Sequence, residues 1–258
     1  MLTEENVLSK TITFLRFPLI VAVVIIHTNL ADVMIGGSLL VNGSDFPVYN
    51  VLRYVLTNEL ARIAVPLSYF ISGFLFFYRT EFTKTTYLKK IGKRLRTLML
   101  PYIIWNLMVI LLNLIAQTFM PSMISGRNEL VVDYSLMDWL NIFWNHKGTG
   151  CPICFQFWFI RDLMVVMLLS PVVYILIRYM KLWGIAILGV LWCFDIWFDI
   201  ISFSSSSFFF FSWGAWFSIN KRNFVANLKS LRIPFTLLYI LFILGHKCPL
   251  KNRNSSLK

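Results

Sequence analysis

The sequence predicts an all-α, polytopic transmembrane helical bundle of about seven spans, and three observations predict it. Hydrophobic residues make up 58% of the 258 and charged residues only 14%, with a mean hydropathy of +0.70; soluble domains run near 45 to 50% and about 25%. The apolar residues gather in blocks of roughly 17 to 23, the length that crosses a hydrocarbon core of about 30 Å as a helix. Finally, the segments between blocks carry their cations unevenly, as membrane proteins do.

The first block, 11–33, follows the acidic pair Glu4 and Glu5 and lacks a small-residue cleavage site, so it reads as a membrane helix and not a secretory signal. The second, 60–78, carries an aromatic run ending in FISGFLFF, and the third, 98–120, follows a basic segment. Blocks at 157–177 and 182–201 come next, parted by Arg178 and Lys181. A sixth at 203–219 is softened by Ser204 to Ser207, and a seventh at 233–245 is short. No repeat or heptad divides them. Residues 1–246 therefore read as one membrane domain, and the polar, aperiodic tail 247–258 as disordered.

A net charge of +12 in a soluble chain would suggest nucleic acid, but here location explains it and no nucleic acid is expected. Residues 79–96 hold Arg79, Lys84, Lys89, Lys90, Lys93, Arg94 and Arg96 against the single acid Glu81, which places that segment in the cytoplasm. By alternation Lys10, Arg178, Lys181, Lys221, Arg222, Lys229 and Arg232 share that side, while only Arg53, Arg127 and Lys147 lie on the other. The amino terminus is then cytoplasmic, in a multi-pass protein of the cell (inner) membrane. Only the basic tail, Lys247, Lys251, Arg253 and Lys258, falls on the unfavoured side.

Ionisable groups at membrane depth are costly and need a partner, a wet cavity or a function. In the first helix Arg16 and His27 are eleven residues apart, about three turns plus 20°, so they share a face roughly 16 Å apart along the axis. Arg16 at the cytoplasmic end suits an anion, and a deeper His27 suits proton transfer near neutral pH. Arg16 snorkelling to headgroups, with His27 bonded to a neighbouring helix, stays open as the structural reading. Lys90, Lys93, Arg94 and Arg96, just before the third helix, suit phosphates or simply set topology. Arg161 and Asp162 sit at the outer mouth of the fourth helix; neighbours on a helix point about 100° apart, so they are not expected to pair with each other. Asp195 and Asp199, four apart, would share a face of the fifth helix. Cys151 and Cys154 allow a disulfide in an oxidising compartment, and with only His146 nearby no metal is predicted.

Together these signals resemble the acyltransferase 3 family of membrane O-acyltransferases. Arg16 and His27 match its R-x10-H first helix, FISGFLFF at 70–77 its second, and the basic run into Leu100, Pro101, Tyr102 and Trp105 with WFIRDL at 158–163 complete the order. The resemblance implies transfer of an acyl group, most often acetyl, from cytoplasmic acetyl-CoA or another acyl-CoA as co-substrate to a hydroxyl of a cell-surface glycan or lipid-linked glycan precursor. His27 would be catalytic with Arg16 its companion. Lys93, Arg94 and Arg96 would contact the coenzyme, with Lys standing where the family's RxxR begins. Arg161 and Asp162 would lie toward the acceptor. Members of that family have about ten helices, so the resemblance also implies a C-terminally truncated chain. The competing readings are a transporter or flippase using Arg16, His27, Asp195 and Asp199 as a relay, and an inactive truncated member.

The charge distribution yields a test of orientation. Single cysteines introduced across 89–96 should label only after the cell is opened, and those across 133–154 in intact cells; the reverse pattern would invert the topology.

Overall fold

The computed structural model describes residues 4–27, 34–35, 38–39, 47–119, 130–229, 232–234 and 236–237. The predicted tail 247–258, and most of the seventh block, lie outside these residues. Apart from a pair of two-residue strands, β1 (Met34–Ile35) and β2 (Ser38–Leu39), joined antiparallel with Met34 opposite Leu39, the regular structure of the described chain is helical. It divides into two compact units, Met1–Ser68 with Lys221–Lys258, and Tyr69–Asn220.

The first unit is built on α1 (Glu4–His27). Leu8 and Ile12, one turn apart, are buried, whereas Phe14, Phe17, Ile20 and Val24 are exposed on the opposite face, as expected of a helix wetted by lipid. The buried stripe meets residues 55–63, where Ala61 is nearly inaccessible, as is Ala64 just beyond; such small side chains let helices approach closely in lipid. The helix they sit on begins well before the predicted block. It runs from α2 (Pro47–Tyr54) through a π-type turn at Val55–Leu60 and a 3-10 turn at Ala61–Ile63 into α3 (Ala64–Phe77). Polar Asn58 and Glu59 hid this start from hydropathy, yet they are compatible with a helix, and Arg62 donates to Asn58 one turn back at 3.2 Å.

In the second unit, α3 continues as Tyr69–Phe77 and is followed by α4 (Lys84–Phe119), α5 (Leu136–Trp144), α6 (Trp158–Leu168), α7 (Ser170–Cys193) and α8 (Ser205–Ile219); α9 (Phe224–Lys229) belongs to the first. Four described helical stretches are long and apolar enough to cross a membrane: Asn6–His27, Val51–Phe77, Lys84–Phe119 and Ser170–Cys193. The predicted gap between the fourth and fifth blocks appears as a break inside α7, where Lys181 has φ 52° and ψ −127°. The connector 194–204 is not helical, so Asp195 and Asp199 do not share a helix face. Both are exposed, and Asp195 takes φ 53°.

α8 is the buried centre of this unit. Its Ser204 cap accepts a bond from the Ser207 amide at 3.2 Å, so the serine run that weakened the hydropathy signal starts the helix. Phe211, Ser212 and Ala215 are fully buried. A methyl group added at Gly73 of α3 would lie 2.0 Å from the Phe211 carbonyl oxygen, and one at Gly214 1.9 Å from that of Phe70. Backbone meets backbone at this crossing, which only glycine permits. Rings close around it, with Phe70 edge-on to Trp213 at 5.4 Å and to Phe217 at 5.8 Å.

Gly73→Ala and Gly214→Ala should each destabilise the folded protein by about 1 to 3 kcal/mol or more, the cost of forcing packed elements apart. Gly92→Ala, which meets nothing within 4 Å, should be neutral or slightly stabilising through helix propensity. Thermal unfolding in detergent measures all three; equal behaviour would refute the close crossing.

Candidate active-site residues

Arg16 and His27 both lie on α1, Arg16 exposed and His27 half-buried at the last described residue of the helix. At 100° per residue both fall at the edge of the stripe begun by Leu8 and Ile12, between the packed and the lipid-facing sides. Pro18 lies between them in sequence and leaves the Phe14 carbonyl without its usual amide donor, a local weakness in an otherwise regular helix.

The basic segment is not a loop before a helix but the opening of α4, a single helix of 36 residues, about 54 Å long. Lysine, arginine and leucine are good helix formers, and Gly92 alone does not interrupt them. The helical geometry sorts the cations. Lys89, Lys93 and Arg96 follow at i, i+4 and i+7, so they form one exposed stripe, while Arg94 projects about 100° away from Lys93. Lys89 was visible in the sequence but joins the set only once the segment is read as helix. Lys90 is committed elsewhere: its ammonium donates to the Phe76 carbonyl at the end of α3 and to Thr80 Oγ1 at 2.6 Å. A lysine there satisfies a helix-end carbonyl and complements the helix dipole.

Arg161 and Asp162, in the first turn of α6, are only 4% and 3% exposed. Contrary to expectation they pair with each other: Arg161 Nε and Nη2 reach Asp162 Oδ1 at 3.3 and 3.1 Å. The Cβ directions do diverge, but the long arginine stem bends back across the helix start. The other edge of the guanidinium, Nη1, donates to the Trp144 carbonyl and to the Gly150 carbonyl at 3.0 Å, with the Trp144 ring 5.6 Å away. The cation thus closes the 144–150 turn.

The same segment is fixed to α4 by neutral groups. Asn106, fully buried, accepts from the Cys154 amide at 3.0 Å and donates to the Tyr102 carbonyl at 2.7 Å, and the Tyr102 hydroxyl donates to the Phe143 carbonyl. Ile110, Val131 and Ile142 form a small apolar core beneath, with Ile153 against it. Cys151 and Cys154 are free thiols in this structure, and burial pushes the Cys154 thiol up. Asn106, Tyr102 and Tyr69, whose hydroxyl donates to the Phe159 carbonyl at 3.2 Å, were not singled out as partners, because in a hydropathy profile they are isolated polar residues in apolar runs. Among the described residues, no three His, Cys, Asp or Glu side chains gather as a metal site requires.

A family model described as an acyltransferase domain matches residues 10–251. Succinoglycan biosynthesis protein ExoH of Rhizobium meliloti (strain 1021) is 30% identical over 145 residues, which cover 54% of this chain and 36% of that protein. The match therefore spans about a third of the relative's length. No solved structure matches. The family match takes in α1 with Arg16 and His27, the basic opening of α4 and the Arg161–Asp162 brace, and it covers nearly the whole chain: this integral membrane protein belongs to the acyltransferase 3 family.

Proposed function

We propose that this chain is a membrane O-acyltransferase that moves an acyl group, acetyl by the family resemblance, from cytoplasmic acyl-CoA to a hydroxyl of a glycan. The family match across residues 10–251 carries this reading. The relative's name, which concerns succinoglycan biosynthesis, supports a polysaccharide or its lipid-linked precursor as acceptor. In the step, neutral His27 takes the proton of an acceptor hydroxyl as its oxygen attacks the thioester carbonyl. The carbon–sulfur bond breaks, CoA leaves as the thiolate, and an ester remains on the glycan. Arg16 companions His27 on the same helix, while Lys93 and Arg96, with Lys89, offer a row of donors to the coenzyme's phosphates. The transporter alternative loses part of its footing, because Asp195 and Asp199 lie exposed in a connector and not along a membrane helix.

General base catalysis contributes about 10²- to 10⁴-fold, while an interhelical hydrogen bond in a membrane averages about 0.6 kcal/mol, under threefold. His27→Gln should therefore lower transfer at least about a hundredfold at equal membrane abundance; retention of more than about a tenth would leave His27 structural. Lys93→Ala and Arg96→Ala should each raise the acyl-CoA concentration needed by about ten- to a hundredfold, the equivalent of roughly 1.5 to 3 kcal/mol for a lost charge-assisted bond. Arg94→Ala, off the stripe, should do less. Equal effects for all three would deny the stripe its role.

A further inference from the structure

On the segment held by Arg161 there is a polar concavity of about 430 Å³, within the range of small-molecule sites. Tyr134, Asp138, Asn141, Asn145, His146 and Lys147 line it. α5 explains how a polar cleft arises in so apolar a protein. Leu136, Met137, Leu140 and Trp144 lie within about 100° of one another and are exposed, whereas Ile142 is buried against the apolar core beneath. Asp138, Asn141 and Asn145 fall on a third side, about 120° from the exposed apolar one. The helix thus presents an apolar face for lipid, a packed face for α4 and a polar face for the concavity.

The lining is also held before any ligand arrives. Ser135 and Asp138 cap α5 reciprocally, with the Asp138 amide donating to Ser135 Oγ at 3.3 Å and the Ser135 amide to Asp138 Oδ2 at 2.9 Å. The bonds from Ser135 hold the Asp138 carboxyl below the usual carboxylate range, so it is ionised at neutral pH. Asn145 Oδ1 accepts the Gly150 amide at 2.6 Å, and the His146 amide donates to the Cys151 carbonyl at 2.8 Å. Lys147, Gly148 and Gly150 take left-handed conformations with φ of 50°, 71° and 72°, and Arg161 grips the carbonyls at both ends of the turn. A prearranged site loses less on binding than one that must order itself.

The donor set selects the ligand class. A carboxylate discourages anions and an ammonium discourages cations, while two amides offer donors and acceptors side by side. A ligand whose groups each both donate and accept, as sugar hydroxyls do, suits that mixture. We propose that this concavity binds a saccharide and is the docking subsite of the glycan acceptor, an assignment that rests on the acyltransferase reading above.

The test uses the full chain in lipid nanodiscs, probed with an array of neutral and acidic microbial oligosaccharides, with acyl transfer from labelled acetyl-CoA to membrane glycan followed separately. Asn141→Ala and Lys147→Gly, the latter matched to the left-handed backbone, should each weaken binding about tenfold. Val132→Ala, on the same segment but outside the concavity, should bind as the parent does. Binding to no oligosaccharide, equal binding by all variants, or displacement by inorganic phosphate would overturn the subsite. Transfer that persists alongside such a result leaves the enzyme reading intact. Variant-sensitive sugar binding without transfer would keep the saccharide site and sink the acyltransferase.

Discussion

A guanidinium removed from water must have its donors occupied, and the second unit is arranged around that demand at Arg161. Breaking a buried ion pair costs about 3 to 5 kcal/mol because it strands a charge. Arg161 meets the requirement with Asp162 on one edge and the Trp144 and Gly150 carbonyls on the other. The consequence is structural before it is chemical. Residues 144–150 are closed into a turn, and the concavity beside them has walls that do not depend on a ligand.

The same logic runs through neutral groups and through shape. Asn106 joins the Cys154 amide to α4, and Lys90 answers a carbonyl that the end of α3 leaves open. Where no polar contact is offered, glycine does the work of contact by absence: Gly73 and Gly214 let α3 and α8 touch through their backbones. The FISG sequence that helped signal the family thus has a packing reason here. Its glycine is the crossing point, and Phe70 and Phe74 are buried beside it.

Much of this was legible beforehand, for identifiable reasons. Apolar blocks marked helical segments because lipid leaves few alternatives, although four described stretches, against about seven predicted, are long and apolar enough to span, and the interruption at 178–181 appears as the break at Lys181. What escaped was whatever hydropathy does not weigh. Polar residues compatible with helix carried the second helix back to Pro47 and turned the basic segment into the start of α4. The FDIWFDI connector is apolar enough to pass for membrane yet does not continue the helix. Spacing also argued against the Arg161–Asp162 pair, since it accounts for Cβ directions but not for the reach of an arginine. The first-helix motif was read directly from sequence; the stripe of Lys89, Lys93 and Arg96 needed the helix, and the concavity needed the loop.

These pieces fit the proposed membrane acyltransferase, in which α1 would carry the chemistry, beside a cationic row that opens α4 and a polar cleft on a clamped segment. The family match identifies the kind of protein, and the acyl transfer itself is the central claim. The purified chain in proteoliposomes, supplied with acetyl-CoA labelled in the acetyl group and with membrane glycan, tests it most directly. Label should enter the glycan as a base-labile ester only when both substrates are present, and CoA should be released in equal amount. Acetyl-CoA left intact, or a glycan that crosses the membrane without acquiring label, would contradict the account.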